Sequence, residues 1–170
     1  DTGFVGHVSM AEPLCPALSD IVHQAAQNVP DVVVHRGSTF VTIEGPRFST
    51  RAESNVYRQW GFGIIGMTTC PEAFLAREAE MAYAVVGHVT DYDVWHDTEE
   101  SVTTEMVVQR VHENVRKVQQ IITQTVAALD ETADYASHHA LDGAVMTAPA
   151  RMSPQLRDAL KPLLGDRFSA

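Results

Sequence analysis

Apolar and polar residues recur with two different periods along this chain, and each change of period marks an element. Residues 1–12 have little periodicity and read as a loop. Pro13 and Pro16 suit the first turn of a helix, where a missing N–H costs nothing. Leu18, Ile21, Val22, Ala25 and Val29 give that helix one apolar face, and Pro30 stops it. Two short strand candidates follow, Val32-Val33-Val34 and residues 39–43, with Arg36-Gly37-Ser38 as the turn between them. Gly45-Pro46 forces a rigid turn, and Thr50-Arg51-Ala52-Glu53 is a capping-box sequence for a helix running to about Trp60. Phe62-Gly63-Ile64-Ile65-Gly66 reads as a short buried strand. After the loop Met67-Thr68-Thr69-Cys70, Pro71 opens a helix with Phe74, Leu75 and Glu78 at helical spacing.

Residues 81–88 form an apolar, β-branched and aromatic run that predicts a buried strand leading to Thr90-Asp91-Tyr92-Asp93-Val94-Trp95. Side chains two apart on an extended segment share a face, so Asp91 and Asp93 are expected to point the same way where that strand ends. Carboxylates held together repel, which favours a proton on one of them, and the pair suits both binding a ligand's N–H groups and supplying a proton. The plainer alternative is a pair of solvated turn aspartates. From Thr103 to Leu129 the spacing predicts one long helix capped by Thr103 or Thr104. Val108, Val111, Val115, Val118, Ile122, Val126 and Leu129 form its apolar stripe. Residues 130–170 are less ordered in character, apart from a short helix expected over 154–160. Strand, loop, helix and strand in this order indicate an α/β fold.

The totals narrow the partners. The 170 residues suit one domain with a real core, at 45% hydrophobic and 20% charged. A formal net charge of -10 disfavours nucleic acid and anionic membranes. No apolar run approaches the length needed to cross a bilayer, and the start carries no signal-peptide pattern. Cys15 and Cys70 stand far apart without metal-site spacing, which suits a reducing cytoplasm. His138-His139 are neighbours that do not readily converge on one ion, so no metal site is expected. His23 lies beside the apolar face of its helix and reads as a packed or surface residue.

Three motifs taken together resemble one family. Glu44-Gly45-Pro46-Arg47-Phe48-Ser49-Thr50-Arg51-Ala52-Glu53, Met67-Thr68-Thr69-Cys70-Pro71-Glu72 and Thr90-Asp91-Tyr92-Asp93-Val94-Trp95 are similar to motifs of the trimeric purine nucleoside phosphorylases. Within that family they resemble the S-methyl-5'-thioadenosine phosphorylases. Met10-Ala11-Glu12-Pro13, just after His7, also matches, and the resemblance runs from about His7 to Leu129. It implies an α/β fold with a mixed sheet flanked by helices, incomplete at the N-terminus. Residues 1–170 are then the C-terminal portion of a single nucleoside phosphorylase domain. The family's glycine-rich phosphate loop and its Arg-His pair have no counterpart here, so the resemblance implies an N-terminal part missing or supplied as a separate chain.

What the resemblance implies for chemistry is phosphorolysis, with phosphate as co-substrate and no other cofactor. Phosphate attacks C1' of the ribose while the bond to purine N9 breaks, through an oxocarbenium-like transition state. Asp91 corresponds to the residue serving N7 of the base, where a proton makes adenine a better leaving group. Asp93 corresponds to the acceptor for the 6-amino group. Phe48 matches the aromatic residue beside the purine, with core packing as its ordinary alternative. Met67 matches a ribose contact and Thr68 a phosphate contact. Val107 and Val108 match the wall around a 5'-methylthio group, with Thr104 at a third wall position. His7 matches a residue reaching the 5' end of a ligand in a neighbouring subunit, which implies a homotrimer. Ser49 stands where relatives acting on guanosine or inosine have glutamate, and Asp91 where they have asparagine; both positions indicate adenine. A 6-oxopurine phosphorylase, a non-catalytic chain completing another subunit's site, and a hydrolytic nucleosidase are the rival readings.

Overall fold

The computed structural model describes residues 3–96 and 104–168. The chain divides into two units, one of Asp1–Leu18, Pro71–Ala84 and Thr132–Ala170, the other of Ser19–Cys70 and Val85–Glu131. The α/β expectation is met by helices together with a parallel pair of strands.

In the second unit the ordering elements are short. β1 (Thr39–Thr42) and β2 (Phe62–Gly66) pair in parallel, and α2 (Arg51–Gln59) is the crossover between them. Parallel neighbours need such a crossover because the chain must return to the starting edge. Thr42 pairs with Gly66, and Ile43 N–H donates to the Gly66 carbonyl at 2.8 Å, so both strands end at the same edge. Gly66 has a local reason: a Cβ there would lie 2.6 Å from the Phe40 ring.

α1 (Pro16–Gln27) begins at Pro16 and buries Ala25 and Ala26. With Val29 they pack against Ile121 of α4 (Thr104–Ala128). Val32 and Val34 pack against the same cluster while Val33 is exposed, so the alternation of a strand is present. The strand expected at 32–34 is nevertheless not formed, because no ladder partner lies beside it among the described residues. Among the described side chains of α4 the buried positions are Ile121 and Thr125, with Val111 and Val118 half-buried. Val108, Val115, Ile122, Val126 and Leu129 are exposed, so the buried face is rotated from the expected stripe. Contact with α1 selects the face, and both faces carry β-branched residues.

The buried strand expected at 81–88 is also corrected. These residues pair with no strand among those described, and Val86, Gly87, His88 and Val89 are exposed. Their composition favours extended backbone, but a strand also needs a partner.

The first unit has its own core of Leu141, Ala144 and Leu164, against which Phe4, Val8, Val145 and Leu160 pack. Gly6 bridges antiparallel to Val145, and His7 N–H donates to the Ala144 carbonyl at 2.8 Å. The C-terminal region is thus more structured than its sequence suggests. α5 (Pro154–Leu164) is capped by Ser153, whose hydroxyl accepts from Leu156 N–H. Arg167 donates to Glu80 at 2.7 Å and to Asp142 at 2.8 Å, and Glu80 also accepts from Leu141 N–H. α3 (Thr69–Glu78) is interrupted at Cys70, which is extended because a residue preceding proline is disfavoured in the helical region. From Pro71 onward it buries Ala73 and Ala76, leaving Phe74 and Leu75 exposed. Both cysteines are free, and no helix among the described residues is long and apolar enough to cross a membrane.

Candidate functional site

Parallel pairing delivers two loops to one edge of the β1–β2 sheet. The segment of residues 44–50 leaves β1, and Met67-Thr68 leaves β2. The carboxyl ends of parallel strands are where α/β folds place ligands. The two loops touch: a Cβ on Gly45 would lie 3.1 Å from Met67 Sδ. Met67 is half-buried and Thr68 is exposed.

The segment leading into α2 is tied down by its own polar side chains. Thr50 caps α2, its hydroxyl accepting from Glu53 N–H, while Glu53 Oε2 accepts from Thr50 N–H at 2.7 Å. This is the capping box legible in the sequence. Arg47 adds a two-point contact, Nη1 to Glu53 Oε2 at 2.9 Å and Nη2 to Oε1 at 2.7 Å. Its Nη1 also donates to the Phe48 carbonyl at 3.0 Å. The Arg47 hydrogen bond, then the bonds from Thr50, pull the Glu53 carboxyl down to about 2. Phe48 itself is 80% exposed, so it is not a core residue of this chain. Ser49 beside it is buried.

Asp91 and Asp93 do not project from an extended strand. Asp93 has φ +63, the left-handed region that aspartate tolerates better than most residues. The geometry is an Asx turn: Asp93 N–H donates to Asp91 Oδ1 at 2.8 Å. Thr90 Oγ1 donates to Asp91 Oδ2 at 2.7 Å, and Val94 N–H donates to Asp93 Oδ1 at 2.8 Å. The turn therefore orders both carboxylates by donors to their oxygens, and both residues are half-buried.

That turn is fastened to α2. Ser54, 2% exposed, donates its hydroxyl to Asp93 Oδ2. Arg58 sits over the Trp95 ring, 4.0 Å from its centroid. From α4, Asn114 Nδ2 donates to the Val89 carbonyl at 3.4 Å. Neither Ser54 nor Arg58 stands out in the sequence, because their partners lie far along the chain.

One helix thus connects an exposed aromatic face, at Phe48, with a pair of ordered carboxylates. An aromatic face accepts a flat ring, and fixed carboxylate oxygens accept N–H groups at its edge. Phe48, Ser49, Met67, Thr68, Asp91 and Asp93 all belong to the second unit, as does Val108, exposed on α4. The side chains of Val107 and Thr104 lie outside the described residues. His7 belongs to the first unit, where it is exposed. Among the described residues no group of three or more His, Cys, Asp or Glu side chains is placed to hold a metal ion.

Comparison with known proteins agrees with this architecture. Residues 1–127 match the family model of the phosphorylase superfamily. An S-methyl-5'-thioadenosine phosphorylase of Thermosynechococcus vestitus is 46% identical over 165 residues, covering 95% of this chain and 57% of that protein. One from Chloroflexus aurantiacus is 46% identical over 167 residues, covering 98% of this chain and 58% of that protein. The crystal structure of a methylthioadenosine phosphorylase from an antarctic soil metagenomic library superposes with a TM-score of 0.87 at 45% identity. That match covers 96% of this chain and 58% of the other. The Schistosoma mansoni methylthioadenosine phosphorylase in complex with adenine gives a TM-score of 0.67 at 38% identity, covering 76% of this chain and 51% of that one. The chain therefore spans little more than half the length of the relatives it matches.

Proposed function

This chain belongs to the phosphorylase superfamily, and we propose that it is the purine-binding portion of an enzyme that cleaves 5'-methylthioadenosine with phosphate. The products are adenine and 5-methylthioribose 1-phosphate. The observation that carries the reading is the Asp91–Asp93 turn, held on the same helix whose cap constrains Phe48. The names of its relatives point the same way.

The proposed division of labour follows from the chemistry. Phosphate attacks C1', the C1'–N9 bond breaks, and its electron pair moves into the base. Asp91 supplies the proton that N7 takes up and also faces the 6-position, where Asp93 accepts from the 6-amino group. Phe48 stacks against the purine, while Ser49 meets its N1 edge without a repelling carboxylate. Met67 faces the ribose and Thr68 the phosphate. Val107 and Val108 wall the 5'-methylthio group.

The reading extends to a homotrimer in which His7 reaches a neighbour's ligand, and to completion of the site by an N-terminal portion in the same or a separate chain. It places the enzyme in the cytoplasm, in purine and methionine salvage, with phosphate as co-substrate and no metal, nucleic acid or membrane partner. The test is release of adenine from methylthioadenosine by the assembled enzyme, with and without phosphate. Phosphate-dependent release with little activity on inosine is expected. Faster turnover of inosine would replace this reading with a 6-oxopurine phosphorylase, and phosphate-independent release with a nucleosidase.

A further inference from the structure

The Asp93 carboxylate is held from outside its own loop. Val94 N–H takes Oδ1 at 2.8 Å, and the Ser54 hydroxyl, from α2, takes Oδ2. A serine within a helix commonly turns its hydroxyl back to a carbonyl of the preceding turn. Ser54 instead spends it on a residue 39 positions away, and is 2% exposed where it does so. One helical turn later, Arg58 lies over Trp95, two residues beyond Asp93. Positions four apart on a helix share a face, so one face of α2 grips the turn at two points.

We propose that Ser54 is a positioning residue for recognition of the purine 6-amino group, acting through Asp93. This rests on the phosphorylase reading of the site. A carboxylate tethered at one oxygen can still rotate about its Cβ–Cγ bond. With Val94 on one oxygen and Ser54 on the other, its plane is fixed. Each oxygen has a second lone pair, so the fixed carboxylate still accepts an N–H from a ligand. An acceptor already oriented loses less freedom on binding, and the benefit falls only on ligands with an N–H to offer there. Ser54 as mere packing would instead affect all ligands alike.

The experiment compares adenine with purine, which lacks the 6-amino group, as binding probes for the assembled enzyme. Ser54→Ala is expected to weaken adenine about tenfold, as for a lost bond involving a charged acceptor, and to leave purine within about twofold. In an Asp93→Gly background, which removes the carboxylate and suits the positive φ, adding Ser54→Ala should weaken adenine no further. Ser54→Cys, nearly the same shape with a poorer donor, should fall between wild type and Ser54→Ala. Equal losses for adenine and purine overturn the proposal, as does an undiminished adenine loss in the Asp93→Gly background. Wild-type enzyme that binds neither probe defeats the phosphorylase reading itself. The link to Asp93 is then decided by hydrogen exchange at the Val94 amide. Exchange at least about tenfold faster in Ser54→Ala supports it, and unchanged exchange overturns it.

Discussion

Arg47 and Glu53 meet at two points, Nη1 to Oε2 at 2.9 Å and Nη2 to Oε1 at 2.7 Å. The same carboxylate accepts from the backbone N–H and the hydroxyl of Thr50. One acidic side chain therefore closes the helix cap and, through Arg47, holds the backbone of Phe48. An isolated surface ion pair contributes little, but here each partner also fixes backbone next to the proposed purine face.

Acid should loosen this corner. Glu53 is held down to about 2, against an ordinary 4.5. The unfolded chain therefore takes up its proton first as pH falls. The stabilisation is complete above about 4.5 and is lost as pH falls towards about 2. Wild type should lose more of its urea midpoint across that window than Glu53→Gln. Parallel curves would mean that another group governs the acid response.

His139 should behave in the opposite sense. Its Nε2 lies 2.8 Å from Asp134 Oδ1, and its Nδ1 lies 3.4 Å from Asp142 Oδ2. Only the protonated ring donates from both nitrogens, so the hydrogen bond to Asp134 first, and then its charge, raise the imidazole pKa above 6.5. The stabilisation is complete below 6.5 and disappears as pH rises through the raised folded value. Following the ring signals by NMR, Asp134→Asn should lower the His139 titration midpoint. An unmoved midpoint would exclude Asp134 as the cause.

Gly66→Ala should destabilise the second unit by about 1–3 kcal/mol, because the added methyl meets the Phe40 ring. Shrinking the ring, as in Phe40→Leu, should recover part of that loss in the double variant. Urea denaturation of the two single variants and the double variant tests this, and strictly additive losses would show that the two side chains do not meet.

Local signals survive from sequence to structure here, and non-local ones do not. The Thr50–Glu53 box and the Phe62–Gly66 strand are legible because cap chemistry and short apolar runs act within a few residues, although that strand is half-buried where a buried one is expected. Residues 81–88 have strand composition, yet pairing depends on neighbours that composition does not name. On α4, Ile121 and Ile122 are equally apolar, and only contact with Ala25, Ala26 and Val29 selects Ile121. Asp91 and Asp93 are legible in the sequence as candidate chemistry, but the left-handed turn at Asp93 and the Ser54 hydroxyl that hold the segment are not. The roles proposed for His7 and Val107 come from family resemblance alone.

The proposed base specificity rests on Asp91, and its replacement by asparagine tests the proposed function most directly. Asp91 Oδ1 accepts from Asp93 N–H and Oδ2 from Thr90 Oγ1. An asparagine keeps an oxygen for the first contact and presents an amide N–H₂ in place of the second oxygen. A 6-oxo purine beside the wild-type carboxylate sets acceptor against acceptor, leaving lone pairs unmatched at a cost of about 1–3 kcal/mol. The amide removes that conflict and can donate to O6. It also removes the only carboxyl here proposed to pass a proton to N7, which adenine needs on departure. In the assembled enzyme Asp91→Asn should therefore greatly reduce kcat/KM for methylthioadenosine while raising the ratio of inosine to methylthioadenosine turnover. Both substrates are measured side by side with wild type and variant. An unchanged ratio would mean that Asp91 does not read the 6-position, and the adenine assignment would then rest on Ser49 and Asp93 alone.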